Sequence, residues 1–185
     1  VTTVNNSVYA FDANDAEAAA PVWHVNFGVP ANVHSTDFGC TDMNGQMGIV
    51  GTPVIDKARG VLYVVALTKT GDGAGARFAQ RLHELDLATG ADLPASPVTI
   101  EAAGFDALME NQRPALALAN GMVYVGYSSH CDKEPYHGYL MAYDAKTLRQ
   151  AAVVNTSPTG SEASIWQSGQ GPAVDAEGNV YVVTG

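Results

Sequence analysis

Residues 113–147, RPALALANGMVYVGYSSHCDKEPYHGYLMAYDAKT, carry the pattern from which the rest of the chain is read. Two apolar segments meet at Asn120-Gly121, a strong two-residue hairpin signal because both positions accept positive φ. A polar loop with His130, Cys131, Asp132 and His137 follows, and a third apolar segment, YLMAYDA, closes on an Asp turn. RQAAVVNTS, after the turn at Lys146-Thr147, adds a fourth segment. The reading is a four-stranded antiparallel unit over 113–157, with a loaded loop between its second and third strands.

The same plan recurs on both sides. In TPVIDKARGVLYVVALTK, 52–69, a turn at Lys57–Gly60 leads into Val61–Leu67, whose unbroken apolar run predicts a strand buried on both faces and sandwiched between layers. A Gly-rich loop, TGDGAGARFA at 70–79, leads into QRLHELDLATG and then PVTIEA, which completes a unit over 52–102. NSVYAFDA and PVWHVNF give only an outer half unit over 1–27, and GPAVDAEGNVYVVTG gives only an inner half unit over 171–185. Tyr63, Tyr124 and Tyr181 hold the same place in VLYVV, MVYVG and NVYVV. Asp12, Asp86 and Asp144 hold the same place in AFDAND, ELDLATG and AYDAKT, where a carboxylate accepts turn hydrogen bonds. Repeats of four short strands predict an all-β chain, a β-propeller of four-stranded antiparallel blades that is partial here, with about three blade equivalents.

Composition narrows the partners. Nine basic residues against 19 acidic give a formal charge of −10, which opposes binding to nucleic-acid phosphates or anionic membranes. No apolar run approaches the roughly 20 residues of a membrane span. The 46% apolar content supports a sizeable core, and few lysines among plentiful Gly, Ala, Thr and Asn suggest an exported protein, periplasmic or extracellular.

TPVID..RGVLYVVA, LHELDLATG, QRPALALANGMVYV, PYHGYLMAYDAKTL and SIWQSGQGPAVDAEGNVYVVTG resemble the PQQ-like, quinoprotein-type propeller repeats, with PYHG and IWQSGxGPA the more specific stretches. The resemblance covers nearly the whole chain and implies a ring of blades around a central channel. In cofactor-binding members it implies PQQ above that channel, a calcium ion, a vicinal cysteine pair and a catalytic Asp. Cys40 and Cys131 are far apart in sequence, and the turns at Asp86 and Asp144 lack the Trp that docks one blade on the next, a role left to Trp23. PQQ and calcium are therefore not supported by the residues present.

With strands A to D counted outward from the axis, the D-to-A and B-to-C connections share one face. The chemically rich segments all fall there: His34 to Asp42, Asn111 to Arg113, His130 to His137 and Ser161 to Gln167. The segment from Gly28 to Gly51 is longer than ordinary connections, which marks it as a binding loop. Elaborated loops on one side of a rigid scaffold are where binding is found, so Arg113, His130, Asp132, His137 and Trp166 are the ligand-binding candidates. Arg113 holds an anion or carboxylate, or pairs with an acid such as Glu110 or Asp106; Trp166 stacks a planar ligand, or wedges adjacent blades. Asp132 corresponds by loop position to the catalytic Asp that the resemblance implies, with a general-base role. His130, Cys131, Asp132 and His137 suit a transition metal by type but lack a recognised ligand spacing, and no metal is assigned. His24 and His83 read as packed side chains.

Three functions are open: a ligand- or partner-binding propeller, a PQQ- and calcium-dependent dehydrogenase of an alcohol or sugar, and a scaffold module of a larger exported assembly. Cys40 and Cys131 reach the same face from neighbouring blades, so they are expected to pair as a disulfide, the alternative being two separate thiols. Half blades at both ends lead to the expectation of a fragment, whose partners are the remaining blades from further sequence or other chains.

Overall fold

The computed structural model describes residues 1–185 apart from 33, 35–37 and 42–44. Asp37 and Asp42, part of the long loop singled out above, lie outside the described residues. Strands β1 (Ser7–Ala10) and β2 (Trp23–Asn26) form one antiparallel hairpin, and β3 (Ala31–Asn32) and β4 (Gln46–Met47) form another. Strands β5 (Val54–Asp56), β6 (Val61–Thr70), β7 (Arg77–Asp86) and β8 (Val98–Thr99) make a four-stranded antiparallel sheet in sequential order. A second such sheet comprises β9 (Ala117–Ala119), β10 (Met122–Tyr127), β11 (Tyr139–Asp144) and β12 (Gln150–Asn155). The hairpin of β13 (Ala173–Val174) and β14 (Val180–Tyr181) follows.

Alternation along β6 explains the stacking of the sheets. Successive side chains of a strand point to opposite faces, and here both faces are buried. Val61, Tyr63 and Val65 join a core with Val123, Val125, Tyr139 and Met141 of the second sheet and with Leu116 just before it. Leu62, Val64 and Ala66 join a core with Val8, Trp23 and Val25 of the first hairpin. The unbroken apolar run thus packs between two layers.

Two local features differ from the sequence reading. Strands β6 and β7 continue past Leu67, pairing Thr68, Lys69 and Thr70 with Ala79, Phe78 and Arg77, so the connection shrinks from 70–79 to 71–76. Polar side chains end the apolar signal there without ending the backbone ladder, and Arg81 donates to Thr68 Oγ1 at 2.6 Å across it. Gly71 and Gly73, both at positive φ, make the tight return. Within the long loop, β3 and β4 bury Ala31 and Met47 against Phe38, Cys40 and Leu67.

Adjacent layers are tied at equivalent turns. Asp86 Oδ1 accepts from the backbone of Ala88 and Thr89 and from the Thr89 hydroxyl, and Asp144 Oδ1 accepts the same three bonds from Lys146 and Thr147. The carbonyl after each Asp then receives a donor from the preceding layer. Leu87 accepts from Trp23 Nε1 at 2.9 Å, and Ala145 accepts from the Tyr63 hydroxyl and Arg59 Nη1, each at 2.5 Å. Trp docking is therefore replaced, at the second interface, by a Tyr and an Arg. His83 is buried in β7, stacked on Phe27 and bonded through Nδ1 to Asp92 at 3.0 Å, whereas His24 lies exposed, stacked on Tyr9.

Candidate functional site

The site is built where the end of β10 meets the segment that follows β12. Asn111 bridges Ser128 through reciprocal backbone bonds, and Ile165 donates its N–H to the Tyr127 carbonyl at 2.9 Å. These bonds fix two loops side by side. Beyond Ser129 the chain reverses at Cys131 and Asp132, both at positive φ, and closes with Lys133 N–H donating to the His130 carbonyl at 3.1 Å. Two consecutive left-handed residues match the mirror-image turn geometry that Asp tolerates better than most residues. The turn buries His130 and leaves Asp132 exposed.

Cys40 and Cys131 form a disulfide, with Cα atoms 5.9 Å apart. It fastens the long loop to the turn. A second latch lies beside it: Lys133 Nζ donates to the Phe38 carbonyl and sits 4.8 Å from the centroid of the Phe38 ring. That ring meets His130 edge-on at 5.2 Å.

Arg113, His130, Asp132 and Trp166 line one cavity of about 150 Å³, with Asn111 and Ser129. Arg113 stacks over Trp166 at 5.8 Å from its centroid and donates through Nε to Ser168 Oγ. It pairs with neither Glu110 nor Asp106. The Trp166 indole N–H donates to the Gly185 carbonyl at 3.1 Å, and its ring meets Tyr136 edge-on at 6.3 Å. Asp132 Oδ1 accepts from the Tyr136 hydroxyl at 3.3 Å, and burial, then the Asp132 charge, pushes that phenol up to about 12. His130 is 2% exposed and neither ring nitrogen has a hydrogen-bond partner; the buried Ser129 hydroxyl also has none. Burial, then the Arg113 charge, lowers the His130 imidazole to about 4, so it is neutral at pH 7.

His137 stands apart from these four. Its Nδ1 pairs with Ser157 Oγ at 3.0 Å, and its backbone N–H donates to Glu110 Oε1 at 3.2 Å. The candidates therefore do not all converge: sequence places His137 on the right loop, but it does not line the cavity and is bonded to Ser157 and Glu110 instead.

Three further residues stand at the site that the sequence does not single out as ligand-binding candidates. Glu110 is 1% exposed, accepts backbone N–H bonds from Asp106 and His137, and is pushed up to about 7 by burial. Tyr136 and Glu162 line a wider cleft of about 490 Å³ with Asp132 and Trp166. Both belong to the loops named above, but only the pairing of Glu162 with residues 136–138 brings them together.

Among known proteins, the chain matches no family model and no curated protein. A solved structure of the quinohemoprotein alcohol dehydrogenase ADHIIG from Pseudomonas putida HK5 is similar over 100% of this chain and 26% of its own length, with a TM-score of 0.64 and 24% sequence identity. The shared fold is a β-propeller of four-stranded antiparallel blades, partial in this chain. The chain spans about a quarter of that neighbour's length. Among the described residues no three His, Cys, Asp or Glu side chains are grouped, and the disulfide joins two separate loops.

Proposed function

We propose that this chain is a PQQ-like propeller module that binds a small ligand on its loop-rich face, in the cavity of Arg113, His130, Asp132 and Trp166. The observation that carries this reading is the burial of unpartnered polar atoms, on His130 and Ser129, in the wall of a cavity that also offers a charged Arg and an aromatic face. A buried polar group without a partner costs of the order of 1–3 kcal/mol, and a ligand that bonds to it recovers that cost. The alternative, a PQQ- and calcium-dependent dehydrogenase, has less support here, because Cys40 and Cys131 pair with each other across two loops instead of forming a vicinal pair. The disulfide supports a periplasmic or extracellular setting, and the remaining blades, from further sequence or other chains, are the proposed structural partners.

Solvent mapping tests the site independently of any particular ligand. The protein is titrated with isopropanol, acetone and phenol while backbone amide resonances are followed. The shifts are expected to concentrate at Arg113, Ser129–Asp132 and Trp166. Shifts confined instead to the apolar groove beside Phe11, Trp23 and Ile55 would remove the proposed site.

A further inference from the structure

Arg113 and Asp132 face the same small cavity with opposite charges, yet do not bridge each other. Among the described residues neither has an ion-pair partner elsewhere. The two charges are held apart because Arg113 is stacked on Trp166 and tied to Ser168, while Asp132 is aimed by the left-handed turn and by the Tyr136 hydroxyl. A gap between a fixed cation and a fixed anion is complementary to a molecule that carries both signs.

We infer that the ligand of this cavity is a zwitterion of the α-amino acid class, with its carboxylate on Arg113 and its ammonium on Asp132. The inference rests on the cavity being a ligand site. A simple anion meets the Asp132 carboxylate and a chain of net charge −10, and a simple cation meets the Arg113 guanidinium. A neutral polyol leaves both charges to water. A guanidinium takes a carboxylate through two parallel N–H bonds, and Asp132 accepts from an ammonium. Ser129 and His130, whose side-chain polar atoms are buried and unpartnered, complete the cavity wall. The size agrees as well: about 150 Å³ is small beside ordinary drug-sized pockets of roughly 300–1,000 Å³. Because Asp132 and Trp166 line both spaces, the cavity adjoins the 490 Å³ cleft of Tyr136 and Glu162, where a side chain is accommodated.

The test uses nuclear magnetic resonance on the whole chain, reading the Trp166 indole N–H and the His130 imidazole during titration with glycine, acetate, methylammonium and glucose. Glycine is expected to shift both signals saturably, and about tenfold or more tightly than acetate or methylammonium, because each of them lacks one charge-assisted contact. R113Q and D132N are each expected to weaken glycine by about tenfold or more, and D132N to turn the preference toward acetate. The Trp23 indole signal, remote from the site, reports that the variants remain folded. Acetate, methylammonium or glucose equalling glycine would overturn the zwitterion. So would silence of all four probes while isopropanol and phenol still map to the cavity, and the ligand site itself would then stand. Silence of every probe, organic solvents included, would overturn both.

Discussion

Trp23 Nε1 donates to the carbonyl of Leu87 at 2.9 Å, and its indole lies on Gly90 at the end of the same turn. Gly90 has a φ of 74°, and a Cβ at that position would meet Trp23 Cε3 at 2.5 Å. Backbone conformation and ring contact thus both require glycine. G90A is expected to destabilise the chain by about 1–3 kcal/mol, through strain at positive φ and overpacking against the ring. W23F, which keeps most of the packing but loses the N–H donor, is expected to cost about 1 kcal/mol. Urea denaturation measures both, and G90A matching the wild type would show that the indole does not rest on this turn.

The equivalent interface between the two full sheets rests on Arg59 instead. Its Nη2 lies 2.6 Å from Glu84 Oε1, and the Glu84 side chain is 1% exposed. Removing one partner of a buried pair strands the other charge, at a cost of about 3–5 kcal/mol, whereas removing both costs far less. The Arg59 side chain is 30% exposed, which places the expected loss for R59M near the lower end, about 3 kcal/mol. R59M/E84Q is expected to recover most of it. Equal stabilities for R59M and the double variant would mean that Glu84 does not depend on this partner.

Repetition and burial made the architecture legible in the sequence. The apolar run Val61–Leu67 announces two covered faces, and the Asp86 and Asp144 turns announce hairpins through their own capping chemistry. The extension of β6 to Thr70 is illegible because its last residues, Thr68, Lys69 and Thr70, are polar and continue the ladder without an apolar signal. At the site, residue type and loop placement brought Arg113, His130, Asp132 and Trp166 forward. The separation of His137 depends on the turn at Cys131 and Asp132 and on the bond to Ser157, neither of which leaves a mark in residue type. Glu110 was named only as an acid for Arg113, since burial of a lone carboxyl is decided by tertiary packing.

That carboxyl makes stability depend on pH. Glu110 is raised from 4.5 to about 7 in the folded chain, chiefly by burial, with the backbone bonds from His137 and Asp106 opposing. The folded state therefore binds the proton more tightly than the unfolded state. Its contribution is fully present below pH 4.5 and is lost as pH rises through about 7. His130, lowered from 6.5 to about 4, acts in the opposite sense: its contribution is present above pH 6.5 and is lost as pH falls toward 4. E110Q is expected to be less stable at acid pH, because an amide nitrogen cannot accept the backbone N–H bonds that both carboxyl oxygens now take. It is also expected to lose the decline between pH 4.5 and 7, a change in slope of the order of 1–3 kcal/mol across the window. Denaturation midpoints at half-unit pH intervals measure the slope, and an unchanged slope in E110Q would assign the titration to another group.

The Cys40–Cys131 bond spans 91 residues and fastens the long loop over His130. In the chain-entropy account, closing a loop of that length restricts the unfolded chain by about 4.6 kcal/mol. C40S/C131S is expected to lose stability on that scale, with the first hairpin and the two full sheets intact, because none of their strands contains either cysteine. The local effect should be sharper than the global one. Phe38 is left held to the turn through Lys133, and His130 loses part of its cover. Amide hydrogen exchange is expected to rise at Phe38–Cys40 and Ser129–Lys133, while the exchange of β6 and β10 follows only the global loss. Equal acceleration throughout β6 and β10, beyond that global loss, would mean that the disulfide supports the sheets directly rather than the loop above the site.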